Sequence, residues 1–295
     1  MENFLICPVC GFPIKKKENY FLCEKCKRQY PLEENIGILV KNFSEHQEMI
    51  KNKVESREDW FCSDQITSYE KGSYRHHLKK RIKFVEKILD SYKPLHDNDP
   101  NILDLGCGDG ANLRWLSNYS KNLWGTDYNL FRLQKAQNAM NFLKIDVKLF
   151  LVDIFNIPFA ENSFDVIFFN HVIEHLEDDL SALQNIYKIT KKNGLVILGT
   201  PNEGALIWKF AYFLEPMIKK STDHVHFYTS KSLSIVVRKA GFKIRHIEHI
   251  GWGIPIWRLD PILRKHKPFD DLFEFFGKKL FKKQATSLYL ILEKS

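Results

Sequence analysis

The sequence predicts an α/β fold, a mostly parallel sheet covered by helices on both faces and preceded by a small cysteine-rich ribbon. Three observations predict it. From residue 101 onward, apolar strand-like segments alternate with amphipathic helical ones, the pattern of parallel strands joined by crossovers. A glycine-rich turn, Asp104-Leu105-Gly106-Cys107-Gly108-Asp109-Gly110, closes the first of these strands. Two C-x-x-C pairs stand near the N-terminus.

The pairs are Cys7-Pro8-Val9-Cys10 and Cys23-Glu24-Lys25-Cys26, separated by 12 residues. Two thiolates on one tight turn can face a single ion, and two such turns complete the four-sulfur tetrahedron that Zn²⁺ prefers. Cys7, Cys10, Cys23 and Cys26 are therefore the expected ligands of a structural Zn²⁺ in a ribbon spanning residues 1–41. So short a segment buries little apolar surface, and the ion is expected to hold it together. Tyr30 to Val40 reads as a turn and closing strand, and residues 42–73 as a linker with helical patches. Cys62 and Cys107 fall outside the pattern and read as free thiols.

Residues 74–295 form the expected main domain. Leu78, Ile82, Val85, Ile88 and Leu89 recur mostly three and four apart, which predicts a helix from Tyr74 to Tyr92 with a basic outer face, ended by Pro94 and Pro100. Strands are expected at Asn101 to Leu105, Leu123 to Asp127, Lys148 to Val152, Phe164 to Asn170, Gly194 to Thr200, Phe242 to His249 and Ser287 to Glu293. Helices are expected near Ala111 to Leu116, Asn129 to Asn141, Leu180 to Thr190 and Ser230 to Ala240. Residues 202–221 and 251–283 read as caps or insertions, the second rich in Trp, Phe and Lys.

With 295 residues, 44% of them hydrophobic, disorder and fibrous structure are excluded. Met1 to Cys7 carries no basic n-region and no long apolar run, so a cytoplasmic chain is expected, at most peripheral to the membrane. The most apolar stretch, Ala205 to Ile218, is too short to span a bilayer and contains Lys209, Glu215 and Pro216. The formal charge of +8 lies in the last third, where residues 201–295 hold 17 basic and nine acidic groups. An anionic acceptor, an anionic membrane surface or RNA would each be drawn there.

Glycines after a strand let a ligand lie against the main chain at a helix N-terminus, and Gly106-x-Gly108-x-x-Ala111 also fits a dinucleotide fingerprint. Three carboxylates decide between ligands. Asp104 precedes the glycines, where it suits a cationic ammonium better than a pyrophosphate. Asp127, 23 positions further on, can accept both hydroxyls of a ribose. Asp153, with the backbone beside it at Ile154, can read an adenine. An adenosine bearing an amino-acid tail is S-adenosylmethionine.

These residues, together with Gly125-Thr126-Asp127, Ile157-Pro158-Phe159, Ser163-Phe164-Asp165-Val166-Ile167 and Val172-Ile173-Glu174-His175-Leu176, resemble the class I S-adenosylmethionine-dependent methyltransferases. The likeness is to the group that includes the ubiquinone-biosynthesis O-methyltransferases, and it covers roughly Ile102 to Thr200. It implies a Rossmann-like seven-stranded methyltransferase sheet with an antiparallel last strand. It also implies that Asp104, Gly106, Cys107, Gly108, Asp127, Tyr128, Asp153, Ile154 and the main chain of Asn170 bind the cofactor. It implies little about substrate.

Methyl transfer from a sulfonium is an in-line displacement that needs alignment and, for a hydroxyl acceptor, a base. His171, His175 and His226 are the candidates, and a divalent ion on Glu174, His175 and Asp178 is a further reading. Trp208, Phe210, Tyr212 and Phe213 read as a lid over an aromatic, lipidic or glycan-bearing acceptor. The expected activity is O-methylation of a small-molecule, glycan or lipid-linked acceptor, anionic in character. RNA is the alternative acceptor, because a zinc ribbon ahead of this domain is similar to the layout of ribosomal-RNA guanine methyltransferases. Against it, residues 1–60 carry no net charge and no Asn-Pro-Pro-Tyr motif follows the fourth strand. Tyr30 to Val40 also resembles small zinc proteins that activate methyltransferases in trans. A scaffold that binds cofactor without turnover is the reading of another class.

Overall fold

The computed structural model describes residues 4–56, 70–92, 99–256 and 258–295. Cys62, Pro94 and residues 57–69 of the expected linker lie outside them. Along the chain the elements are β1 (Ile14–Lys16), β2 (Tyr20–Cys23), β3 (Gln29–Glu33), β4 (Ile36–Leu39), α1 (Phe43–Ser56), α2 (Arg75–Ser91), β5 (Asn101–Leu105), α3 (Leu113–Leu116), β6 (Asn122–Asp127) and α4 (Leu130–Leu143). There follow β7 (Lys148–Val152), β8 (Phe164–Asn170), α5 (Asp179–Ile189), β9 (Thr190–Pro201), α6 (Leu206–Leu214) and α7 (Pro216–Ser221). The last are α8 (Ser230–Lys239), β10 (Lys243–Ile250), α9 (Asp260–Arg264), α10 (Lys267–Leu280) and β11 (Ser287–Glu293).

The chain divides into two compact units. The first comprises Met1–Ile66, Pro94–Phe168 and Asn185–Gly194, and the second Thr67–Lys93, Phe169–Gln184 and Leu195–Ser295. In the first, strands run in the order β1-β2-β3-β4-β7-β6-β5-β8, antiparallel up to β4 and parallel from β4 onward. In the second, β11 is antiparallel to both β9 and β10, as expected for the last strand.

The seven expected strands are β5 to β11, but β1 to β4 bring the described total to eleven. The reason lies in β4, whose Ile-Gly-Ile-Leu is wholly buried and pairs in parallel with β7 from Ile36↔Leu149 to Leu39↔Val152. Gly37 allows this, since a Cβ there would stand 2.5 Å from Phe150 Cδ1. Around it, Trp124 stacks on Phe150 at 5.6 Å, Phe4 lies 5.1 Å from Trp124, and Phe21 lies 6.0 Å from Phe150. Aromatic packing therefore anchors the N-terminal segment.

Helix boundaries follow local chemistry. Asn129 caps α4 by accepting from Phe131 N at 3.0 Å, and Lys144 ends it in a left-handed conformation. Thr229 and Ser232 form a capping box on α8. The exposed side of α2 is basic, with Lys79, Lys83 and Lys87 outermost, while its buried side carries His77 and Arg81 beside Val85 and Leu89, Arg81 donating to Tyr289 OH at 2.8 Å. Residues 251–283 contain α9 and α10.

Candidate functional site

Gly106, Gly108 and Gly110 adopt φ of +83°, +54° and +82°, backbone that side chains with a Cβ enter only with strain. This lets Gly106 N and Cys107 N both donate to Thr126 O, at 2.7 and 2.8 Å, folding the loop over the end of β6. Asp127 receives Gly108 N on Oδ2 at 2.8 Å and Asn129 N on Oδ1 at 2.9 Å. Each oxygen keeps a lone pair for a ribose hydroxyl. Asp104 is 1% exposed, and its Oδ2 has no hydrogen-bond partner among the described residues. Burial first, and then the charge of Asp127, hold its carboxyl well above the usual range. An orphaned buried carboxylate oxygen beside a glycine loop fits the ammonium group of S-adenosylmethionine.

Asp153 caps a 3₁₀ turn, accepting from Phe155 N at 2.9 Å and Asn156 Nδ2 at 2.6 Å, and is half-buried with Ile154. Tyr128 O accepts from His46 Nε2 at 2.6 Å. Burial and the neighbouring Asp104 and Asp127 keep the Cys107 thiol protonated. Asp104, Asp127 and Asp153 thus stand at or just past the C-terminal ends of the adjacent parallel strands β5, β6 and β7. This is where open parallel sheets bind their ligands. Asn170 in the second unit is different, because its Oδ1 accepts from Arg81 Nη2 at 3.1 Å and Tyr289 OH at 2.8 Å. Its side chain is occupied, which leaves the main chain for the role expected of it.

Two of the candidate bases, His171 and His175, follow β8 directly. His171, left-handed at φ +56°, holds Glu174 Oε1 with Nδ1 at 3.1 Å, and Glu174 Oε2 accepts from Thr200 Oγ1 at 3.0 Å. Burial, joined by the charge of Arg81, lowers the His171 pKa despite Glu174. Glu174 is 1% exposed, yet its pKa is lowered, because the hydrogen bond and charge of His171, with His175, outweigh burial. His175 Nδ1 lies 3.1 Å from Asp223 Oδ1, and its ring meets His224 edge-on at 4.8 Å. His226 stands apart, stacked on Tyr228 at 5.4 Å with Nε2 3.9 Å from Asp179 Oδ2. Asp178 is not beside Glu174 and His175 as a ligand. It accepts from Ser181 N at 2.9 Å and Ser181 Oγ at 2.6 Å at the start of α5.

In the ribbon, Cys7 Sγ is 3.6 Å from Cys26 Sγ and Cys10 Sγ 3.5 Å from Cys23 Sγ. A disulfide needs about 2.05 Å, whereas sulfurs about 2.3 Å from one tetrahedral ion stand about 3.8 Å apart. The donor set fits Zn²⁺. Tyr30 OH donates to Cys7 Sγ at 2.9 Å. Burial raises the Cys7 thiol, but this bond and the Cys10 and Val9 main chain outweigh it and bring it down to about 7.

A family model described as a methyltransferase domain matches residues 74–247, more than half of the chain. The chain belongs to the methyltransferase domain family. It is an S-adenosylmethionine-dependent methyltransferase. It is similar to the ubiquinone biosynthesis O-methyltransferase of Pelagibacter ubique, 25% identical over 60% of this chain and 75% of the relative. It is also similar to the tRNA U34 carboxymethyltransferase of Nautilia profundicola, 34% identical over 38% of this chain and 37% of the relative. In fold it is similar to a chain from the complex between the Haloferax volcanii Trm112 methyltransferase activator and a methyltransferase. That likeness has a TM-score of 0.52 at 16% identity, covering 80% of this chain and 95% of the other.

Sequence reasoning missed three supports around this methyltransferase's glycine loop. Asp109 forms a buried ion pair with Arg132 of α4 at 2.7 Å, tying the loop to the helix. His46, in the expected linker, reaches Tyr128 from α1. Asn129 caps α4. Only Asn129 carried a local signal, as a cap residue ahead of an apolar run.

Proposed function

We propose that this methyltransferase methylates a hydroxyl of an anionic, amphiphilic acceptor, lipid-linked or bearing an apolar tail, and meets it at a membrane surface from the cytoplasmic side. One observation carries the reading: α10 faces the wrong way for a core helix. Its buried residues are Asp270 and Gly277, while Phe269, Leu272, Phe275, Phe276 and Leu280 are between 44% and 62% exposed. Asp270 is held inside by Lys80 Nζ at 2.6 Å and Arg264 Nε at 3.0 Å, and Gly277 lies against the Trp252 ring. Leaving such half-exposed side chains in water forgoes about 1 kcal/mol each, which an acyl surface returns. Helix α6 repeats the pattern with exposed Leu206, Phe210 and Phe213. Lys278 and Lys279 in the last turn of α10, with Lys282 and Lys283 just after it, suit anionic headgroups. No helix of the described residues is long and apolar enough to cross a membrane, so the contact is peripheral.

When bound, S-adenosylmethionine supplies an electrophilic methyl. Asp104, the Gly106–Gly110 loop, Asp127 and Asp153 hold it in this reading, and Cys7, Cys10, Cys23 and Cys26 hold a structural Zn²⁺. His171 is the base that the geometry favours over His175 and His226. Its Nδ1 is anchored on buried Glu174, and Nε2 has no hydrogen-bond partner among the described residues. The test incubates the protein and radiolabelled cofactor with anionic vesicles carrying a phenolic lipid, with phosphosugars and with total RNA. Label in the lipid supports the proposal. Label in RNA alone overturns it in favour of the nucleic-acid reading.

A further inference from the structure

The geometry points to a second metal centre, a divalent-cation site formed by Glu174, His175 and His224, chemically distinct from the four cysteines. One ligand atom from each residue lies within 4.8 Å of the others. Ligands at about 2.0–2.2 Å from one ion stand about 3–3.6 Å apart, so roughly 1 Å of side-chain closure completes three corners of a shell. The backbone already holds the pieces in place. Glu174 and His175 share the turn Ile173–His175, and the segment carrying His224 is pinned to it where Val225 N and His226 N donate to Glu174 O at 2.9 and 3.2 Å.

Two further observations indicate a ligand. His224 Nδ1 lies 2.6 Å from Oε2 of buried Glu203, whose other oxygen accepts from Tyr212 OH at 2.5 Å. A carboxylate on one imidazole nitrogen fixes the ring and presents the other nitrogen, the arrangement that supports histidine ligands of metals. Asp223 Oδ1 also lies 3.1 Å from His175 Nδ1, a carboxylate charge beside the second imidazole. Glu174 is also a nearly fully buried carboxylate whose hydrogen-bond partners, His171 and Thr200, are not permanent cations. A divalent ion supplies the missing countercharge. Two imidazoles and a carboxylate suit Mn²⁺, Fe²⁺, Co²⁺ or Zn²⁺, whereas four thiolates disfavour Mn²⁺. The site stands on its ligands alone. Its role, holding the acceptor's hydroxyl oxygen, rests on the O-methylation reading.

The test titrates the zinc-loaded full chain with Mn²⁺, following heat and the loss of free-ion paramagnetic signal. One equivalent is expected to bind beyond the ribbon zinc. His224→Gln and Glu174→Gln are each expected to weaken it at least tenfold without releasing that zinc, with near-ultraviolet dichroism reporting the fold. Because Glu174 is buried, His224→Gln decides the matter if Glu174→Gln fails to fold. Absence of the second equivalent, or its persistence unchanged in His224→Gln, overturns the site. Binding lost in His224→Gln, with label still entering lipid hydroxyls at the wild-type rate, retains the site and overturns its role. Label entering no hydroxyl in either protein overturns the O-methylation reading instead.

Discussion

Asp104 and Asp127 stand at the ends of neighbouring strands, both buried. Asp127 accepts two main-chain N–H groups, while Asp104 Oδ2 has no hydrogen-bond partner among the described residues. The charge of Asp127 further raises the proton affinity of Asp104. In the proposed reading, this pair receives the cationic ammonium of the cofactor.

Cofactor-free protein should therefore pay for Asp104 in stability. Its folded pKa is raised, so the folded state holds that proton more tightly than the unfolded chain. The associated stability is fully present below the ordinary carboxylate range and is lost as pH rises through the raised value. At neutral pH, Asp104→Asn should stabilise the cofactor-free protein by about 1–3 kcal/mol while abolishing tight cofactor binding. Calorimetric Tm measured against pH, with and without S-adenosylmethionine, checks both signs. A lower Tm in the cofactor-free variant would remove the conflict from Asp104.

Asp127→Ala should weaken cofactor binding by about 1.5–3 kcal/mol, roughly ten- to 150-fold in Kd. It should also lower Tm modestly, because Gly108 N and Asn129 N lose their acceptor. Asp127→Asn retains acceptor capacity and should fall between the two proteins in both titration and melting. Unchanged affinity in Asp127→Ala would sink the ribose assignment.

Phe276→Asp in α10 and Phe213→Asp in α6 should raise KM for a vesicle-borne acceptor about tenfold or more, leaving kcat and Tm nearly unchanged, since both side chains are exposed. Asp270→Ala should instead destabilise by about 1–3 kcal/mol, because it removes the buried carboxylate shared by Lys80 and Arg264 and leaves them only Asp271 and Asp260. Wild-type kinetics of both Phe variants on vesicles would show that these faces do not meet the acceptor.

Removing the ribbon metal, by chelation or Cys23→Ser, should reach beyond the ribbon. Because β4 pairs with β7, and Phe4 and Phe21 pack on Trp124 and Phe150, hydrogen-exchange protection should fall in β4 and β7 together. Cofactor affinity should drop with it. Loss confined to residues before Ile36, at unchanged affinity, would make the ribbon an independent module.

The local signals were legible without a structure. Cysteine spacing, glycines that must take positive φ and acidic residues at strand ends each act over a few residues, so the sequence alone determined the ligand class, the seven main strands and the antiparallel β11. Tertiary structure decided which faces turn inward. Periodicity shows that α2 and α10 have two faces, but the side that is buried depends on partners distant in sequence. Arg81 goes inside because Tyr289 and Asn170 receive it, and Asp270 because Lys80 and Arg264 do. Likewise His224 becomes a neighbour of Glu174 and His175, and β4 a neighbour of β7, only when the chain closes on itself. Burying a charge is costly unless its partner is already in place, and that partner is a property of the fold, not of the segment.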